Sequence, residues 1–104
     1  MQLSFYDPVI EYIYCSGKNP KGFTYSIITR RRLVKTINSI KAIKYFSDAS
    51  RLVTLDHMVI DSFSKISSVK VDQLYRLEFK CNENNNLIEG LQILRLAPEI
   101  HFKH

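Results

Sequence analysis

Charged side chains occupy every second position in one stretch of the sequence, and their spacing suggests joint chemistry. Between residues 74 and 81, apolar positions alternate with Arg76, Glu78 and Lys80, which predicts a strand with all three charges on one exposed face. Lys70 is predicted on the same face, in the neighbouring strand of a hairpin. Because cross-strand neighbours lie close together, several of these charges could act on one phosphodiester.

A second group of cations lies on a predicted helix. From residue 24 to residue 42, apolar residues recur at the three- and four-residue spacing of a helix side that packs inward. Arg31 and Lys35 lie on the opposite side. Such a basic face is most often simply solvated, and the alternative interpretation is binding to nucleic-acid phosphates.

The remaining elements must hold these two faces in place. Asp7 and Pro8 predict a helix start, because aspartate caps a helix and proline suits its first position, and Gly17 predicts the end. The first half of the chain is predicted to form a strand at 2–6 and helices at 8–16 and 24–42, followed by an irregular link at 44–56. Three strands then follow at 67–71, 74–81 and 87–96, with turns at 72–73 and 82–86 and a bulge at Gly90. This order predicts an α+β fold, in which an N-terminal strand and two helices pack on an antiparallel β-meander.

Composition narrows the class of protein. The 104 residues have room for one domain, residues 1–104, and the net charge of +5 suits either a polyanionic partner or an ordinary basic protein. Cys15 and Cys81 lack metal-ligand spacing, so we expect single thiols and no bound metal or other cofactor. The sequence shows no signal peptide and no run of 18 apolar residues, which predicts a cytoplasmic protein without a membrane partner.

The predicted hairpin carries the strongest family resemblance. The segment SSVKVDQLYRLEF, residues 67–79, resembles the central motif of the HigB-like branch of the RelE/ParE toxin superfamily. Lys70 takes the place of the basic residue of that motif, and Tyr75 and Arg76 take the places of its aromatic residue and its arginine. By strand parity Tyr75 points inward, so packing in the core is the favoured role for its ring over base stacking.

Two further segments extend the resemblance over most of the chain after Thr24. RRRLVKTINSIKAI, residues 30–43, is similar to the second helix of these toxins. LQILRLAPEIH, residues 91–101, is similar to their last strand, which ends in a histidine. The resemblance implies a toxin of a type II toxin–antitoxin system, a ribosome-dependent mRNA endoribonuclease that uses the 2′-hydroxyl as nucleophile without metal. Its partners would be a cognate antitoxin, the ribosome and mRNA.

The resemblance also implies roles for individual residues. Arg76 would stabilise the phosphate, Lys70 would bind substrate, and His101 would transfer protons, since histidine titrates near neutral pH. His57 has no partner at catalytic or metal-ligand spacing and is interpreted as structural. The residues expected to bind ribosomal RNA backbone are Arg30, Arg31, Arg32 and Lys35.

Two other functions remain open at the level of sequence. A ParE-like inhibitor would bind DNA gyrase without cleaving RNA, and the same fold serves both activities. His101 and the Lys70/Arg76 pair favour the nuclease, whereas the missing Leu-Lys-Gly segment of the family and Ile100 in place of a tyrosine favour the gyrase inhibitor. The third possibility is a small non-catalytic domain that binds RNA or a protein partner.

Overall fold

Two helices pack against one face of a five-stranded sheet in the computed structural model, which describes residues 2–48 and 56–99. The elements are β1 (Gln2–Phe5), α1 (Pro8–Ser16), α2 (Ile27–Lys41), β2 (Met58–Asp61), β3 (Ile66–Lys70), β4 (Tyr75–Asn84) and β5 (Leu87–Pro98). The predicted α+β class is therefore confirmed, with the N-terminal strand and two helices in the expected order. Neither helix in these ranges combines the length and the apolar composition that a membrane span needs.

Both helices begin at side chains that cap them. The Asp7 carboxylate accepts a hydrogen bond from the Val9 backbone N–H at 2.8 Å, and α1 ends at Gly17 with φ 73°. These are the start and the end that the sequence predicted. The Ser26 hydroxyl accepts from the Thr29 N–H at 3.1 Å, so α2 begins later than the predicted residue 24.

The strands are ordered β1-β5-β4-β3-β2 across the sheet. The pairs of β3 with β4 and of β4 with β5 are antiparallel, as expected. Strand β2 pairs antiparallel with β3, whereas β1 runs parallel to β5. The parallel pair joins Gln2–Phe5 to the β5 residues that begin at Gly90, and so ties the start of the chain to its last strand. The sheet is therefore mixed and not a purely antiparallel meander.

Strand β2 was not predicted from the sequence. It pairs antiparallel with β3, with Met58 opposite Ser68 and an irregularity between Val59 and Asp61. Of the expected link, residues 44–48 include an isolated bridge from Tyr45 to Leu87, and residues 49–55 lie outside the described ranges.

Asparagines form the turn between β4 and β5. Asn85 and Asn86 have φ values of 51° and 72°, the left-handed conformation expected of a two-residue hairpin turn. The bulge predicted at Gly90 falls one residue away, because Asn82 pairs with Gly90 and Glu83 with Ile88. At the other hairpin, the Asp72 carboxylate accepts from the backbone N–H groups of Leu74 and Tyr75, at 2.8 and 2.9 Å.

The core lies between the helices and one face of the sheet. The helices contribute five isoleucine and leucine side chains, Ile43 and Val71 come from connecting segments, and the strands contribute the remainder. The buried core residues are Ile10, Ile13, Leu33, Ile37, Ile40, Ile43, Val69, Val71, Leu77, Phe79, Cys81, Ile88, Leu91 and Ile93. The opposite face of the sheet, which carries Arg76, Glu78 and Lys80, is called the outer face below.

Candidate functional site

The predicted row of charges forms along the outer face. In the sheet register Lys70 lies opposite Arg76, and Glu78 lies between Ser68 on β3 and Arg95 on β5. Lys80 lies two residues after Glu78 on β4, opposite Ile66. Since Leu77 and Phe79 belong to the core, the predicted alternation of β4 is confirmed.

Arg76 is nevertheless fully buried, with 0% of its surface exposed. Its Nε donates to the Ser68 hydroxyl at 3.0 Å, and its Nη1 lies 2.9 Å from the Asp56 carboxylate and 3.7 Å from that of Glu99. Its Nη2 donates to the backbone carbonyls of Asp56 and Ser68. The prediction that Arg76 lies exposed was therefore wrong.

The physical reason is that two segments from outside the hairpin bring their carboxylates to Arg76. Asp56 lies two residues before β2 and its side chain is 65% exposed, while Glu99 follows β5 and its side chain is 18% exposed. The guanidinium thus links the start of β2, the middle of the sheet and the end of β5. In this arrangement the guanidinium donates its hydrogen bonds to other groups of the protein. Arg76 therefore stabilises the site and does not itself face a substrate.

Lys70 and Lys80 are the lysines of the outer face that solvent can reach. Lys70 is exposed at the end of β3, directly opposite the buried Arg76. Lys80 is partly exposed and lies opposite Ile66 and Gln92. Lys70 is therefore placed where a phosphate could contact it.

The four cations predicted on α2 divide into two kinds. Arg30 donates to the backbone carbonyls of Gly17 and Tyr25, so it holds the loop between the helices against α2. These bonds use the Nε and Nη1 of Arg30, and its role in binding RNA stays a prediction. Arg31 and Lys35 are exposed, as predicted, and Arg32 is exposed as well. Two of them line a shallow groove of about 260 Å³, which is formed by Arg32, Lys35, Thr36, Ser39 and Val71.

Tyr75 and His57 each lie near another aromatic ring. Tyr75 is half-buried and packs edge-on against Tyr25, with ring centroids 5.4 Å apart, which agrees with its expected packing role. His57 lies 6.3 Å from the Phe79 ring. Burial lowers the pKa of His57, and the positive charge of Arg76 lowers it further. His101 lies outside the described residues.

A cleft that the sequence did not predict opens on the outer face beside β1. It has a volume of about 470 Å³ and is lined by Tyr6, Asp7, Pro8, Glu78, Leu94 and Arg95. An extra residue in β5 helps to form it, because Glu78 pairs with Arg95 and Phe79 with Ile93, which leaves Leu94 between them. Three separate segments supply the walls, so no local spacing could have revealed this cleft.

The lining of the cleft combines an ion pair with an exposed aromatic ring. The Arg95 Nε lies 3.2 Å from the Glu78 Oε2, and the Glu78 side chain is 17% exposed. Tyr6 is 76% exposed. Among residues 2–48 and 56–99, no group of three or more His, Cys, Asp or Glu side chains could hold a metal ion.

Comparisons with known proteins give no further identification. No protein family model, no curated protein and no solved structure matches the chain.

Proposed function

We propose that this chain acts on RNA, as the endoribonuclease toxin of a type II toxin–antitoxin pair in the cytoplasm. The observation that carries the proposal is the exposed cation group on α2. Arg31, Arg32 and Lys35 face solvent and make no ion pair with any residue that the structure describes. Unpaired cations on one side of a rigid helix suit the regularly spaced phosphates of an RNA backbone.

The geometry of the outer face supports roles for Lys70 and Arg76 in cleavage that differ from those implied by the resemblance. Lys70 is the exposed cation that would stabilise charge on the scissile phosphate. Arg76 acts behind it, by fixing the ends of β2 and β5 through Asp56 and Glu99. His101, two residues after Glu99, keeps its proposed role as the group that transfers protons.

Mapping of RNA ends after brief expression in growing cells tests the proposal directly. A ribosome-dependent nuclease produces discrete cuts within translated codons, and the partners would be mRNA, the ribosome and an antitoxin. Gyrase-linked DNA breaks without RNA cuts would show that the nuclease proposal is wrong.

The role of His101 is tested by single-turnover cleavage on programmed ribosomes. We expect His101→Ala to lower the rate by roughly 10²- to 10⁴-fold, the usual contribution of a positioned acid or base. The wild-type rate should depend on pH between about 6 and 7, since histidine titrates near 6.5. His104→Ala is the matched control and should cut at the wild-type rate. Equal rates for wild type and His101→Ala would remove this histidine from the mechanism.

The buried state of Arg76 favours a second candidate function. An arginine engaged by Asp56, Glu99 and Ser68 fits a domain that binds its target without chemistry. That class includes a ParE-like inhibitor of DNA gyrase and a non-catalytic module that binds RNA or a protein. RNA-end mapping separates the nuclease from both, and gyrase-linked breaks identify the inhibitor.

A further inference from the structure

We propose that the cleft between Tyr6 and Arg95 binds a single unstacked nucleobase of RNA, with a preference for guanine. The proposal rests on the RNA-directed function above and adds the identity of the group that the outer face would recognise. The volume of about 470 Å³ lies within the range of roughly 300–1,000 Å³ typical of small-ligand pockets, and it suits one nucleotide.

The walls of the cleft have the chemistry of a base-stacking site. Tyr6 is exposed over 76% of its surface, and its ring pairs with no other aromatic ring of the described residues. Its hydroxyl likewise makes no hydrogen bond within that part of the chain. An exposed tyrosine between Pro8 and Leu94 gives a base one flat aromatic surface and apolar edges to pack against.

The polar groups of the cleft indicate which base would fit. The Glu78 Oε2 lies 3.2 Å from the Arg95 Nε, so a carboxylate acceptor and a guanidinium donor stand side by side. Guanine carries two neighbouring donors, its ring N–H and its exocyclic amine, next to a carbonyl acceptor. It can therefore donate twice to Glu78 and accept from Arg95, whereas cytosine and adenine offer one donor next to one acceptor, and uracil has no exocyclic amine.

The surrounding charges favour a base that is attached to a phosphate backbone. Lys80 lies two residues from Glu78 on the same strand and face, and Lys70, opposite Arg76, lies on the other side of Glu78 along the hairpin. Asp7, the remaining charged residue of the lining, already accepts the Val9 N–H at 2.8 Å as the cap of α1. A nucleotide in the cleft would thus have cations near its phosphates, and Glu78 is the carboxylate left to contact its base.

Binding of short single-stranded RNAs tests this proposal. We would measure fluorescence anisotropy with a hexamer of uridines that contains one guanosine, and with the same hexamer carrying inosine, which lacks the exocyclic amine. Wild type should bind the guanosine hexamer about tenfold more tightly, the loss expected for one hydrogen bond to a charged group. Glu78→Gln should bind the two hexamers equally.

Substitutions of tyrosine separate stacking from other effects. Tyr6→Ala should weaken binding of the guanosine hexamer by roughly 5- to 150-fold, the range for loss of one base–aromatic stack. Tyr6→Phe should bind like wild type, since it keeps the ring. Tyr12→Ala, which removes an exposed tyrosine from α1, is the matched control and should have no effect.

The outcomes distinguish this inference from the proposed function. If the hexamers bind but neither Tyr6→Ala nor Glu78→Gln changes the affinity, the cleft is not a base site, while the RNA-directed function stands. If the hexamers fail to bind but guanosine monophosphate binds with the same dependence on Tyr6 and Glu78, the cleft takes a free nucleotide and the RNA assignment is wrong. Failure of both ligands to bind overturns the inference outright.

Discussion

Arg76 is the residue whose surroundings differ most from a surface strand position. Its guanidinium has no exposed surface, and it joins the Ser68 hydroxyl to the carboxylates of Asp56 and Glu99. Removal of one member of a buried ion pair leaves uncompensated charge and a cavity where the side chain was. Arg76 is therefore a residue on which the stability of the fold depends.

We expect Arg76→Ala to lower the free energy of unfolding by about 3 kcal/mol, the lower end of the range for a broken buried pair, because Asp56 stays partly solvated. Urea unfolding followed by circular dichroism measures the change. Arg95→Ala is the control on the same face: its pair with Glu78 is half-exposed, so its loss should cost under about 1 kcal/mol. Equal stability of Arg76→Ala and wild type would mean that the buried contacts do not form in solution.

His57 makes the stability depend on pH. Burial and the charge of Arg76 lower its pKa, so the folded chain takes up this proton less readily than the unfolded chain. The contribution of neutral His57 is fully present above its ordinary pKa of about 6.5 and is lost as the pH falls below that value. We expect His57→Gln to flatten the decrease in unfolding free energy between pH 7 and pH 5. His104→Gln should retain the wild-type slope, and a wild-type slope in both variants would contradict the assignment.

The alternation of apolar and charged residues in β4 predicts the face on which Arg76 lies but not its burial. Parity depends only on the backbone, and it places Arg76, Glu78 and Lys80 on one side whatever surrounds them. Burial depends on Asp56 and Glu99, which belong to segments distant in sequence. For the same reason, the cleft that Tyr6 and Glu78 both line could not be predicted from local spacing.

At the scale of the elements, the exposed cations of α2 allow nucleic-acid binding to be tested. Arg30 is engaged by the carbonyls of Gly17 and Tyr25, which leaves Arg31, Arg32 and Lys35 for the backbone. Three phosphate contacts on single-stranded RNA give a log–log dependence of affinity on salt with a slope of about −2. We expect the triple change Arg31→Ala, Arg32→Ala, Lys35→Ala to reduce the magnitude of the observed slope by about that amount.

A charge-matched control distinguishes contact from net charge. Lys21→Ala, Lys41→Ala and Lys44→Ala together also remove three positive charges from exposed positions, and this variant should keep most of the wild-type slope. If both triple variants change the slope equally, the effect comes from overall charge and α2 has no specific role.

The elements that the sequence predicted well have local signals. Asp7 and Gly17 mark the ends of α1, and Asn85 with Asn86 marks a hairpin turn, because each effect acts within a few residues. Strand β2 lacks such a signal: it has four residues, and three of them are exposed. The parallel pairing of β1 also has no signal in the residues around β1, since it depends on β5, which is distant in sequence.

At the scale of the whole molecule, the two cysteines report on global unfolding. Cys15 is exposed on α1, whereas Cys81 lies in the core, where burial raises its pKa to about 11. The thiolate fraction falls tenfold for each pH unit below the pKa, so at pH 8 only about one Cys81 thiol in a thousand would be ionised. Reaction of Cys81 would therefore be slow even if a reagent could reach it. We expect one fast and one slow thiol with a chromogenic disulfide reagent, and two fast thiols in denaturant.

Single-cysteine variants assign the two phases. Cys15→Ser should lack the fast phase, and the rate of its remaining thiol should follow the unfolding equilibrium as urea increases. A Cys81 thiol that reacts as fast as Cys15 in the native protein would show that this part of the core is open.

The parallel pair of β1 with β5 has a consequence for synthesis of the chain. Gln2–Phe5 leaves the ribosome well before its partner residues, from Gly90 to Ile93, are translated. At translation rates of about 5–20 residues per second, β1 waits roughly 4–18 s for the strand that it must join. During that interval its backbone donors and acceptors have no partner in the sheet, whatever α1 and α2 have formed. A chain that stops before residue 90 therefore carries an unpaired strand and is not a smaller version of the same fold.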